Sequence, residues 1–200
     1  MESVFNFNDQ YILEDRHVIL MPLEEYDYEH LLPFALNEPE LWQYSLVSAE
    51  GRVGLRHYMQ LALDARTEEK EYPFIVFDKS TNSYAGSTRF YDINLPFQTL
   101  QLGYTWYGKQ FQGTGLNKHC KYLLLSFAFE DLHMERVEFR ADNNNARSIA
   151  AMKSIGCKVE GVLRSNMPKR DDSRRDSIVL SILKEEWFAG IKDMLWKKLR

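Results

Sequence analysis

Residues 110–117 read Gln-Phe-Gln-Gly-Thr-Gly-Leu-Asn, a spacing suited to holding phosphate. Gly113 and Gly115 lack Cβ, so the chain can turn sharply there and let a ligand approach its backbone. A strand-like run over 100–107 leads in, and a strongly amphipathic run over 116–132 leads out. The first amides of a helix have no internal partner, and the helix dipole favours negative charge beside them. Strand, glycine turn and helix start together form an anion cradle. Two familiar phosphate loops do not fit. The Walker loop continues from its last glycine into Lys and Ser/Thr, whereas Leu116 and Asn117 follow Gly115. The dinucleotide fingerprint needs a third glycine where Lys118 stands. Lys109, Lys118, Lys121 and Arg147 are candidates to balance an anion, and read equally well as solvated helix-surface charges.

The elements that position this cradle follow from periodicity. Residues 11–23 read as extended and broken near Asp15 and Arg16. Residues 24–44 read as helical with interruptions at Pro33 and Pro39, and 48–69 as a second helix. Residues 72–77 and 83–91 read as antiparallel strands around a turn at 78–82. Residues 136–141 alternate cleanly. Asp142 signals a helix start, and the helix runs to Ile155 and stops at Gly156. A strand over 158–164, a charged turn over 167–175 and a strand over 176–183 follow. An amphipathic helix at about 185–200 closes the chain. The fold class is α+β, a mixed α/β sheet with helices on its faces. The cradle lies at the carboxyl end of a strand, where open sheets bind ligands.

Composition narrows the function. With 44% hydrophobic residues, 200 residues support one full core, so residues 1–200 read as a single domain. A net charge of −4 opposes general nucleic-acid binding, which needs a basic face. No apolar run approaches the roughly 20 residues that span a bilayer and no signal peptide opens the chain, so a cytoplasmic protein without membrane attachment is expected. Cys120 and Cys157 have neither metal spacing nor a persuasive disulfide partner and read as buried small hydrophobes. The five histidines stand singly, and no metal is expected.

Several strings, in order, resemble the GNAT N-acetyltransferases, and most closely their RimJ/RimL-like ribosomal-protein alanine acetyltransferase branch. They are Gly86-Ser-Thr-Arg-Phe-Tyr-Asp92, Gly103-Tyr-Thr-Trp106, Gln112-Gly-Thr-Gly-Leu-Asn117, Asp142-Asn-Asn-Asn145-Ala-Arg-Ser148, Ser154-Ile-Gly156, Glu160-Gly-Val-Leu-Arg164 and Arg175-Asp-Ser177. The resemblance covers nearly the whole chain. It implies acetyl transfer from acetyl-coenzyme A to a primary amine, a protein N-terminus or a small amine, by direct attack. Amides from Gln112, Gly113, Thr114, Gly115, Leu116 and Asn117 would bind the pyrophosphate of coenzyme A. The backbone edge at Trp106 and Tyr107 would pair with the pantetheine arm. Asn145 would hydrogen-bond that arm, with Asp142 left to cap the helix. Ser148 would face the sulfur and protonate the leaving thiolate, since Met152 stands where many relatives carry a tyrosine. Relatives often carry a glutamate base where this chain has Gln101, which leaves Glu138, Glu160, Asp92 or a water chain as alternatives. Trp42, Tyr44, Tyr91 and Trp106 hint at an apolar or flat acceptor. A homodimer is compatible with the final helix, and a non-catalytic acyl-coenzyme A sensor is the rival reading.

Overall fold

In the computed structural model, which describes residues 5–169 and 171–199, eight strands form one sheet in the order β1-β2-β3-β4-β5-β6-β8-β7. The first group is β1 (Leu13–Glu14), β2 (Val18–Pro22), β3 (Tyr72–Asp78), β4 (Ser83–Asn94) and β5 (Thr99–Tyr107). The second is β6 (Arg136–Asp142), β7 (Lys158–Pro168) and β8 (Arg174–Leu183). All neighbours run antiparallel except β5 and β6, which run parallel. A parallel pair needs a long crossover. Here it is α3 (Leu116–Ser126) and its wider-turned continuation Phe127–Asp131.

On one face lie α1 (Tyr28–Asn37) and α2 (Gly51–Thr67). The stripe Leu55, Tyr58, Met59 and Ala62 of α2 is buried, the spacing of one helix face. On the other face α3 buries Leu116, Cys120, Leu124 and Leu125, and the Phe127 ring lies 6.3 Å from that of Phe90 in β4. The sheet is covered on both sides here, so Tyr72 to Val76 of β3 are buried without alternation. Beyond β6, α4 (Ala146–Ser154) crosses to β7.

Three local expectations change. Pro33 lies inside α1 without breaking it. The turn over 167–175 is shorter, because β7 and β8 stay paired to Pro168↔Arg174. The final helix is interrupted. Residues Lys184–Glu186 form α5, Lys192–Lys197 form α6, and Trp187–Ile191 make a wider turn in which Gly190 leaves helical geometry. The last residue of that expected helix, 200, lies outside the described residues. Trp187 and Leu195 are fully buried and tie this segment to the core, while Trp196 is 44% exposed.

The sheet is not closed throughout. β5 and β6 share only the rungs Thr99↔Arg136, Leu100↔Val137 and Gln101↔Glu138, although β5 continues to Tyr107 and β6 to Asp142. The register of β4 on β5 slips between Ser87 and Arg89, and Tyr104 in the facing segment takes a φ of 48°. An irregularity of this kind bends a strand and sharpens its twist, and β5 leaves β6 at this point. The two halves of the sheet part like a wedge, with the 113–117 loop beyond the end of β5.

Candidate active site

Gly113 and Gly115 both take left-handed φ, 80° and 97°. A side chain is strained in that region, and a Cβ at either position would meet nothing within 4 Å. The loop therefore presents bare backbone to open space. The amides of Gly113, Thr114, Gly115 and Asn117 have no hydrogen-bond partner among the described residues. Leu116 N–H makes only a long bond of 3.4 Å to Thr114 Oγ1. Gln112 differs from expectation. Its amide donates to Lys109 O at 3.1 Å and its side-chain Nε2 to Tyr107 O at 2.7 Å, so it anchors the loop to β5. Thr114 Oγ1 donates to Phe111 O at 2.8 Å, which locks the turn while leaving its N–H free.

The Trp106 and Tyr107 side chains are both buried, and both carbonyls are directed at protein. That of Trp106 turns against Gly86 of β4 and that of Tyr107 accepts from Gln112. Among the proposed cations, Lys109 pairs with Glu40 and Lys121 turns inward. Lys118 and Arg147 have no ion-pair partner among the described residues.

Across the wedge, α4 begins at Asn145. Its Oδ1 accepts from Ser148 N at 3.1 Å, so Asn145 is itself the helix cap. Asp142 is not. Its carboxylate accepts from Asn144 N at 2.9 Å and pairs with Lys169 at 3.2 Å. The Asn145 Nδ2 donor and the Ser148 hydroxyl have no partner among the described residues, and both residues are half-buried. At its far end α4 closes on itself, with Cys157 N bonded to Met152 O and Gly156 N to Lys153 O, a Schellman end.

A family model for the GNAT acetyltransferase domain matches residues 17–158. The chain belongs to the GNAT acetyltransferases. It is an acyltransferase of this family, whose co-substrate is acetyl-coenzyme A, and the parted β5 and β6 with the open glycine loop fit that ligand. A solved structure of a presumed acetyltransferase from T. thermophilus superposes with a TM-score of 0.85. It is 33% identical and covers 98% of this chain and 100% of that one. The uncharacterized N-acetyltransferase p20 of Bacillus licheniformis is 26% identical over 77% of this chain and 85% of its own length. YdaF of Bacillus subtilis (strain 168), named as a presumed ribosomal N-acetyltransferase, is 30% identical over 52% of this chain and 56% of its own length.

The opposite face of this GNAT sheet holds groups that the sequence did not single out. Arg89 is 3% exposed, donates to Glu71 at 2.7 Å and lies between the rings of Tyr58 and Tyr104 at 4.8 and 4.1 Å. With Asp64 and Glu68 they line a cavity of about 380 Å³ beside the Tyr104 irregularity. Arg89 stood in a quoted string, but nothing in strand alternation announced an inward arginine. Gln101 pairs with Tyr91 across β4 and β5 and shares its face. Its Nε2 donates to Asp92 Oδ2 at 2.7 Å, and its Oε1 is buried without a partner among the described residues.

The other suggested bases are engaged. Glu138 is held by Arg136 and Arg140 at 2.8 and 2.7 Å. Glu160 is bound by Arg136 and Ser181, bonds that hold its carboxyl below the usual range. The aromatic hint also divides. Trp42 and Trp106 pack on each other in the core at 4.8 Å, Tyr44 is 38% exposed, and Tyr91 meets Tyr104 of β5 ring to ring at 5.1 Å. Cys120 and Cys157 are buried free thiols. The histidines are not all single, because the rings of His17 and His119 meet at 4.4 Å and His119 Nδ1 bonds Asp15 Oδ2 at 2.6 Å. Among the described residues no group of three or more candidate ligands could hold a metal, and no helix is long and apolar enough to cross a membrane.

Proposed function

We propose that this chain transfers an acetyl group from acetyl-coenzyme A to a primary amine, a protein N-terminus or a small amine, by direct attack on the thioester. The observation that carries this reading is the set of four free amides at Gly113, Thr114, Gly115 and Asn117, beside two strands that have parted. Those amides would hold the pyrophosphate, and the helix dipole of α3 adds to their pull on it. The β5 edge past Gln101 would receive the pantetheine arm as an added strand, with the Asn145 Nδ2 donating to it from α4. Ser148 would stand at the sulfur.

The protein then needs little covalent chemistry. It aligns amine and thioester, which lowers the barrier by removing the entropy of encounter, and it leads a proton away from nitrogen. Gln101 Oε1, buried without a partner among the described residues, would orient an amine N–H but cannot take its proton, so the proton would pass to Asp92 or to water. The cavity bordered by Asp64, Glu68 and Glu71 supports a cationic acceptor rather than a flat apolar one. The name of YdaF supports a ribosomal-protein N-terminus, in keeping with a RimJ/RimL-like role within the cytoplasm. The residues 1–200 would act as one catalytic domain, as a monomer or a homodimer.

The test is release of coenzyme A thiol from acetyl-coenzyme A across a panel of basic N-terminal peptides, polyamines and apolar arylamines. Turnover is expected with the cationic members. Tight coenzyme A binding with thiol release no faster than hydrolysis, for every amine, would overturn the reading.

A further inference from the structure

Lys121 is a cation placed where solvent does not reach it. It lies on the stripe of α3 that faces the sheet and is 5% exposed. Its Nζ reaches between the two strands that part. On one side it donates to Thr105 Oγ1 of β5 at 2.8 Å. On the other it stands 5.9 Å from the centre of the Phe139 ring of β6. Thr105 comes after Gln101, the last residue of β5 that pairs with β6, so the ammonium lies on the α3 side beneath the stretch where the two strands have parted.

An ammonium carries three donors, and Thr105 is the one acceptor Lys121 reaches among the described residues. Two titratable groups face it: Cys120 on its own helix and Cys157 from the segment entering β7. Burial pushes both thiols up to about 12, so both are neutral near pH 7. Its other neighbours are uncharged. Thr105 Oγ1 lies 2.7 Å from Thr88 Oγ1, and Phe139 contributes only its ring. Burial lowers the ammonium to about 8, which leaves it mostly protonated at pH 7.

A buried cation without a counter-ion is costly. In transfer from a thioester, negative charge develops in the wedge first on the carbonyl oxygen, which a free backbone N–H of the β5 edge can polarise, and then on the departing sulfur. The pyrophosphate belongs to the 113–117 loop. We infer that Lys121 is the cation that receives the negative charge on sulfur as the thioester C–S bond breaks. This inference rests on the acyl-transfer reading above. The amine nitrogen bonds to the carbonyl carbon, and the C–S electron pair leaves with sulfur. The proton shed by nitrogen balances the one that sulfur finally takes up, and Lys121 ends the cycle protonated as it began. Sulfur is negative only as the bond breaks, so the interaction strengthens in the transition state, which is what accelerates a reaction. Ser148 supplies a hydroxyl to the same sulfur and Lys121 supplies charge.

The test titrates the thiol of bound coenzyme A through thiolate ultraviolet absorbance, as the difference between complex and free protein. In the wild type the bound thiol is expected to titrate about one unit or more below free coenzyme A. Lys121→Met, of similar length and without charge, is expected to return it to the free value or above. The same variant is expected to lower kcat about tenfold while changing the KM for acetyl-coenzyme A less than about twofold. Superposed thiol titrations in wild type and variant, with coenzyme A bound to both, would overturn the role of Lys121 and leave the acyl-transfer reading standing. A wild type that binds no coenzyme A would overturn both. Should Lys121→Met not fold, Lys121→Gln decides. It keeps an N–H donor but removes the charge, and a titration unchanged from wild type would overturn the inference.

Discussion

Two helices begin on opposite sides of the same wedge, and they begin differently. At α4 the Asn145 side chain caps the helix by accepting from Ser148 N–H, and the far end closes through Gly156. At α3 no side chain caps the start. Gly115 occupies the cap position in a left-handed conformation, and the amides around it have no partner among the described residues. One helix start is satisfied from within and the other waits for something from outside. Composition alone makes this difference, because a glycine at the cap offers no side-chain acceptor while an asparagine does. The contrast suggests a division of labour, with α3 holding the charged end of the ligand and α4 addressing its reactive end.

The contrast is broken most directly at Gly115. Gly115→Val forces a β-branched residue into a left-handed φ and places methyl groups over the amides. Affinity for coenzyme A, read by calorimetry, is expected to fall about 100-fold, near 2.8 kcal/mol. The melting temperature is expected to change far less, because no protein atom lies within reach of that Cβ. An unchanged affinity would mean that the free amides of α3 hold nothing.

On the α4 side Ser148→Ala is expected to lower kcat about tenfold while the KM for acetyl-coenzyme A stays within about twofold, the signature of a contact made in the transition state. Full activity in steady-state assays would remove the hydroxyl from the reaction.

Asn145 separates capping from binding. Asn145→Asp keeps an acceptor for Ser148 N–H but removes the Nδ2 donor, so KM is expected to rise a few-fold at unchanged stability. Asn145→Ala loses both and is expected to cost a further ~1 kcal/mol of stability, measured by urea unfolding. An Asn145→Asp protein with wild-type KM would make this residue a cap and nothing more.

The smallest effect concerns the interior of α3. Burial lowers Lys121 to about 8 from its ordinary 10.5, so the unfolded chain binds more protons than the native one between those values. Stability contributed by this group therefore rises with pH across that window and is lost as pH falls through about 8. Lys121→Met is expected to melt a few degrees higher than wild type at pH 7, with the gap closing as pH approaches 10.5. A gap that does not depend on pH would show that the lysine titrates alike in the folded and the unfolded chain.

Much of this was readable in the chain because it is local. The glycine pair, the strand before it and the amphipathic run after it lie within one stretch, and their geometry follows from residue type. The order of strands and helices follows for the same reason. What was misread depended on choosing between equivalent residues. Asp142 and Asn145 are both capping types, and only the backbone decides that the helix starts after the second. Lys121 reads equally well as an anion partner and as a surface cation, because lysine is nearly always exposed, although it sits beside Cys120 on the buried stripe of its helix. Gln112 read as part of the anion site, yet its amide and side chain fasten the loop to β5. Trp42 and Trp106 were candidates for an acceptor surface but meet in the core, a contact between distant parts of the chain. Arg89, Glu71 and Tyr58 come together from β4, the approach to β3, and α2, and no spacing rule links them.

The outermost strand, β7, carries a consequence for how the molecule behaves in a crowd. Its free edge offers hydrogen-bonding groups to any passing strand, and Val159, Val162 and Leu163 are 47%, 43% and 41% exposed along it. Two slips in its register against β8, between Val159 and Gly161 and between Leu163 and Met167, curl that edge, and Lys158, Glu160 and Arg164 punctuate it with charge. A curled, charged margin is a poor template for end-to-end sheet growth. The molecule can thus keep an oily border in water without polymerising.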